Sequence, residues 1–136
     1  MADKFSPEKR SEIMSCVRQK NTKPELIVRS LLHRMGYRFR LHRKDLPGKP
    51  DIVLPRYKKI IFVHGCFWHG HTGCPRSTRP KTNSEYWERK IDKNINRDKQ
   101  HVKTLREMGW SILIIWECET KDGNKLIDKL KKFMVL

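Results

Sequence analysis

Apolar residues recur along this chain with two different periods, and the switches between them predict its elements. Ile27, Val28, Leu31, Leu32 and Met35 fall on one face of a helix. Thr22 and Glu25 open that helix with the spacing of a capping box, and Gly36 closes it. Ser6-Pro7-Glu8 predicts an earlier helix start, and the stretch Glu8–Arg18 carries Cys16 as a small buried hydrophobe. From Tyr37 the period shortens to two: Tyr37, Phe39 and Leu41 alternate with Arg38, Arg40 and His42, as in a half-buried strand. After a loop at 43–49, Ile52–Leu54 and Ile60–Val63 predict two more strands around a turn at Pro55–Lys58. Thr82 to Met108 reads as one long helix, opened by a second T-x-x-E spacing (Thr82, Glu85) and ended by Gly109. Trp110–Trp116 is a continuous apolar run, as in a central strand covered on both faces. Leu126, Ile127, Leu130 and Phe133 mark a closing helix. This order predicts one α/β domain over residues 1–136, a mixed central sheet flanked by helices.

Charge narrows the class. Lys and Arg number 31 against 15 Asp and Glu, a formal net charge of +16 spread along the whole chain. Folding does not need such an excess, since self-repulsion destabilises the compact state. A polyanionic partner, DNA or RNA, accounts for it better than solubility alone. Met1–Arg10 lacks the apolar core of a signal peptide, and no apolar stretch approaches membrane-spanning length. A cytoplasmic protein with reduced cysteines and no membrane contact is the expectation.

Residues 65–81 break the periodicity and hold the chemistry. Cys66-x4-His71-x2-Cys74 places three zinc-type ligands within nine residues, and Cys118 stands just past the last strand. If the strands at 60–64 and 112–117 are parallel neighbours, Cys66 and Cys118 meet at one sheet edge and complete a Cys3His site. Two free cysteines in a loop are the plain alternative. His64 and His69 are left over. A hairpin centred on residues 56–57 sets Asp51 across from Phe62 or Val63, next to His64, where a carboxylate could hold Mg2+. Asp51 could equally cap the turn at Gly48–Pro50. Trp87, Ile91, Ile95, Val102 and Leu105 form the apolar stripe of the long helix, and Asp98 lies in that stripe. A carboxylate there needs a partner, either His69 or His64 as in an acid–base dyad, or one of the many cations. Glu25, by spacing alone, is a capping-box residue. Phe67 and Trp68 have little room inside a zinc loop, so one or both would face outward, with Trp87 nearby; such aromatics wedge between DNA bases or pack in a core.

Pro50-Asp51, the string Val63-His64-Gly65-Cys66-Phe67-Trp68-His69, and Trp116-Glu117-Cys118 together resemble the very-short-patch repair (Vsr) endonucleases, over about Ser11 to Phe133. The resemblance implies a variant restriction-endonuclease-like fold and a strand-specific nick 5′ to the thymine of a T·G mismatch, left by deamination of 5-methylcytosine. It implies that Asp51 and the Val63 carbonyl hold catalytic Mg2+, and that His64, His69, Asp98 and Glu25 surround the scissile phosphate. His69, oriented by Asp98, would be the general base; His64 would stabilise or protonate near the phosphate, and Glu25 would order water. Cys66, His71, Cys74 and Cys118 would hold structural Zn2+, while Phe67, Trp68 and Trp87 would intercalate beside the mismatch. The implied partners are mismatched double-stranded DNA, a MutL-type mismatch-repair protein and a repair polymerase, met by a nucleoid-associated monomer.

Two other classes fit the same composition. One is a restriction-like endonuclease cutting unmodified sites; the other is a zinc-stabilised DNA-binding protein without catalysis. A zinc deaminase fits poorly, because no H-x-E with a following P-C-x-x-C is present.

Overall fold

The computed structural model describes residues 22–75 and 81–135. The expected first helix at Glu8–Arg18 and Cys16 lie outside the described residues. Helix α1 spans Lys23–Arg34, with the Thr22 hydroxyl accepting the Glu25 backbone N–H at 3.4 Å and Pro24 in the first turn. Strands β1 (Arg40–Leu41), β2 (Ile52–Leu54) and β3 (Lys59–His64) follow. β2 and β3 are joined by a 3-10 turn at Pro55–Tyr57, and Lys58 closes it in the left-handed region. Helix α2 (Ser84–Glu107) leads to β4 (Ser111–Trp116), a 3-10 segment (Glu117–Lys121) and helix α3 (Gly123–Met134).

The sheet order is β1-β2-β3-β4. The first two pairings are antiparallel, and β3 pairs with β4 in parallel, His64 opposite Trp116. A parallel pair needs a long crossover, and the chain between β3 and β4, α2 included, supplies it. Alternation along β3 divides the core. Ile61 packs with Val28, Leu32, Ile115 and Leu130 beneath α1 and α3; Ile60 and Phe62 pack with Val53, Leu105 and Trp110 beneath α2. The mixed sheet flanked by helices is as expected.

Three local expectations change. The strand expected over Tyr37–His42 shrinks to two residues, although Tyr37 and Phe39 still pack against the core. The long helix begins at Ser84, with Asn83 as its cap in the left-handed region and no side-chain cap bond, so the Thr82 spacing is not used. β4, expected to be central, is an edge strand among the described residues. An apolar run records what covers its faces, not what pairs with its edges. That outer edge is closed by side chains: the Trp116 N–H donates to Glu119 at 2.9 Å, and Lys129 donates to the Ile114 carbonyl at 3.3 Å and to Glu119 at 2.6 Å.

Candidate active site

The antiparallel β2–β3 register sets Ile52 against Ile61, so Asp51 lies beside the end of β3. Its Oδ2 accepts the Val63 backbone N–H at 2.8 Å. Glu25 reaches the same place from the first turn of α1 and is 1% exposed. Its two oxygens accept from His42 Nε2 at 2.9 and 3.0 Å, and Oε2 also accepts from Arg29 at 3.0 Å. The carboxylate of Glu25 is thus engaged in tertiary contacts. One donor atom from each of Glu25, His42 and Asp51 lies within 4.8 Å of the others. Burial, opposed by the Val63 N–H and reinforced by the charge of Glu25, pushes Asp51 up to about 7. Two carboxylates crowded in this way form a donor set that a hard divalent cation fits.

That crowding has a consequence for stability. The folded pKa of Asp51 lies above its ordinary 3.8, so its contribution is fully present below pH 3.8 and lost as pH rises through about 7. In metal-free protein, Asp51→Asn is expected to raise the melting temperature at pH 8 by about 5 K and to leave it unchanged near pH 4. Thermal melts at the two pH values check this; an equal or lower melting temperature at pH 8 would contradict the crowding.

His64 ends β3 and is 5% exposed. Its ring stacks on that of His69, centroids 3.8 Å apart and planes 5° from parallel. His69 Nδ1 lies 2.5 Å from Asp98 Oδ2, so the carboxylate in the helical stripe pairs with a histidine. Burial, with the charge of His69 adding to it, holds His64 down to about 3. Its Nδ1 is the buried side-chain nitrogen without a hydrogen-bond partner among the described residues, a costly arrangement in a protein interior. Glu25, Asp51, His64, His69 and Asp98 all line one cavity of about 790 Å³, whose wall also carries Lys44, Lys49, Lys90 and Arg97.

The parallel β3–β4 register brings Cys66 and Cys118 out at matching positions two residues past the paired ends. With His71 and Cys74 they offer four donor atoms within 4.8 Å of one another. Cys118 Sγ and His71 Nδ1 are 3.5 Å apart; two ligands of one tetrahedral zinc would stand about 3.6 Å apart. Burial pushes the Cys66 thiol up to about 12, with Cys74 and Cys118 adding to it against a backbone bond from Cys118. A buried thiol crowded by two others is one that a zinc ion would deprotonate on binding. The Cys3His cluster can therefore hold zinc. His71 stacks on Trp116 at 4.2 Å, and Gly70, at φ +60, lets the loop press on α2, where a Cβ would stand 2.6 Å from Ile95.

Phe67, Trp68 and Trp87 form one aromatic cluster with centroids 5.3 to 6.0 Å apart. Phe67 and Trp68 are half-buried, whereas Trp87 is 2% exposed. Its place in the apolar stripe of α2 explains the burial: Trp87 backs the other two and presents no surface of its own. Two residues were not singled out by sequence. Asn94 donates to the Trp68 carbonyl at 3.0 Å, and His42 meets Glu25. Asn94 looked like one more polar helix position, and His42 like the outward side of an alternating strand.

Residues 2–75 match the family model described as DNA mismatch endonuclease Vsr. The chain belongs to the Vsr DNA mismatch endonuclease family. This Vsr-family endonuclease is 51% identical to the type II nicking enzyme V.XorIIP of Xanthomonas oryzae pv. oryzae over 134 residues, 98% of each chain. It is 41% identical to the type II nicking enzyme V.NmeAIP of Neisseria meningitidis, over 96% of this chain and 98% of that one. The DNA mismatch endonuclease Vsr of Escherichia coli K12 is also 41% identical, over 95% of this chain and 82% of that one. The fold is shared with the catalytic domain of the homing endonuclease I-Bth0305I: TM-score 0.60, 23% identity, 85% of this chain and 96% of that one. Among the described residues no helix is long and apolar enough to cross a membrane.

Proposed function

We propose that this Vsr-family endonuclease is Mg2+-dependent and nicks one strand of duplex DNA 5′ to the thymine of a T·G mismatch, so starting very-short-patch repair. The observation that carries the reading is the convergence, in one basic-walled cavity, of a paired carboxylate cradle and a His69–Asp98 dyad. Several relatives are named nicking enzymes, which supports cutting of a single strand.

Asp51 and the Val63 carbonyl would hold the Mg2+, beside Glu25. When bound, the ion supplies charge neutralisation for the scissile phosphate and for the departing 3′ oxygen. The protein's own groups do the rest. The Nδ1–H of His69 donates to Asp98, which fixes the tautomer and leaves Nε2 to take a proton from the attacking water. Asp98 then stabilises the imidazolium that results. His64 remains neutral in the stack, so no second positive charge opposes the one forming on His69. The expectation for His64 thereby narrows from proton donation to stabilisation beside the phosphate, as a neutral, buried ring stacked on His69. Glu25 orders water beside Asp51. Attack at phosphorus breaks the bond to the 3′ oxygen and leaves a 5′-phosphate and a 3′-hydroxyl. Zn2+ held by Cys66, His71, Cys74 and Cys118 would fix the loop, and Phe67 and Trp68, supported by Trp87, would part the bases at the mismatch. The nick suits a repair polymerase. Recruitment by a MutL-type protein, action as a monomer and residence on the nucleoid belong to the same proposal.

The test is Mg2+-dependent cleavage of end-labelled duplexes that carry T·G, U·G or matched pairs. The expected product is a nick in the thymine strand of the T·G duplex. Cleavage of matched DNA alone would favour a restriction-like enzyme, and tight binding with no cleavage would favour a non-catalytic binder.

A further inference from the structure

We propose that His42 is a positioning residue of this active site, holding the Glu25 carboxylate in the orientation that serves a cation at Asp51. The inference rests on the metal-dependent reading above. His42 touches both acidic residues. Its backbone N–H donates to the Asp51 carbonyl at 3.1 Å, and its Nε2 lies 2.9 and 3.0 Å from the two Glu25 oxygens. A donor set evenly between two carboxylate oxygens anchors the head of the group beside Asp51. Arg29, on Oε2 at 3.0 Å, adds a contact to one oxygen, so that the two donors together set how the carboxylate is turned.

The backbone supports a dedicated role. His42 lies at φ +47, in the left-handed region that non-glycine residues seldom adopt. It stands immediately after the two-residue strand β1, where an extended backbone would carry the side chain along the alternating pattern, away from Glu25. Strained conformations persist where the surroundings over-determine them, and they cluster at functional sites. Here the turn swings the imidazole under the first turn of α1. With Nε2 donating to Glu25, His42 acts on the site through that carboxylate.

The experiment is a Mg2+ titration of nicking on T·G duplex for the wild type, His42→Ala, His42→Asn and His42→Gln, with melting temperatures measured alongside. Removing a group that orients a metal ligand costs about 10–100-fold in metal affinity or activity. His42→Ala is expected to move the half-saturating Mg2+ up by about that factor while its rate at saturating Mg2+ recovers to near the wild-type level. His42→Gln, whose amide can donate from a similar distance, is expected to restore the midpoint. His42→Asn tolerates the left-handed backbone but falls short of Glu25, and is expected to behave as alanine does; it carries the comparison with glutamine if the alanine variant does not fold. A purely structural role would lower the rate equally at every Mg2+ concentration. The inference is overturned by a wild-type midpoint in His42→Asn or His42→Ala, or by a glutamine variant no better than asparagine. A wild-type rate indifferent to divalent cations would remove the metal-dependent reading and the inference with it, a different and separable result.

Discussion

Asp51→Ala is expected to reduce nicking of a T·G duplex by at least about 10³-fold, several kcal/mol of transition-state stabilisation, while leaving affinity for the same DNA within a few-fold. The separation of the two effects follows from where the residue sits. Asp51 lies in the cavity beside Glu25, and its carboxylate accepts the Val63 backbone N–H. The positive side chains that would meet phosphates, Lys44, Lys49, Lys90 and Arg97, line the wall around it. Removing the carboxylate takes away a cation ligand and leaves that wall intact. Affinity should even rise slightly, since a negative charge facing the DNA backbone is lost. Single-turnover nicking and gel-shift binding, run on one preparation, decide the matter. Undiminished cleavage by the alanine variant would leave Asp51 outside the chemistry and the magnesium reading without its principal ligand.

The second large effect concerns zinc. Prolonged chelation, or Cys118→Ser, is expected to lower the melting temperature by roughly 10 K or more and to remove nicking altogether. Structural zinc sites contribute about 10–16 kcal/mol in small finger peptides, as much as the whole net stability of an ordinary domain. Here the four donors join the loop after β3 to the segment after β4. Without the ion, that junction would rest on weak contacts, among them those of Cys118 with Cys66 and His71 and the ring stacking of His71 on Trp116. His69 lies on the same loop, so the dyad with Asp98 would lose its alignment when the loop loosens. Metal content, melting and activity followed together through chelation test this. Full melting temperature and activity in protein shown to be zinc-free would rule out a structural role for the cluster.

Much of this arrangement could be read from the chain itself because it depends on short-range regularities. The hairpin length set Asp51 beside the end of β3, and the long segment between two apolar strands allowed the parallel pair on which the meeting of Cys66 with Cys118 depends. The helical stripe exposed Asp98 as an anomaly that needed a partner, and His69 is that partner. What could not be read had no local signature. Whether β4 is central or at the edge depends on pairing with distant segments. Trp87 offered two meanings, wedge and core, and only its depth separates them. His42 is placed by one left-handed residue, and nothing in an alternating pattern announces such a turn. Glu25 satisfied a capping rule so well that its contacts with His42 and Arg29 were hidden behind it.

The loop that follows β3 runs like a stitch through two layers of cloth. His64, at the end of β3, and His69 line the active-site cavity, Cys66 and His71 join the Cys3His cluster, and Phe67 and Trp68 lie between them in the chain. Neither set of groups can be moved along the chain without dragging the other. A single residue inserted anywhere between Gly65 and His69 would shift both registers at once, so the length of this segment is held by two sites together.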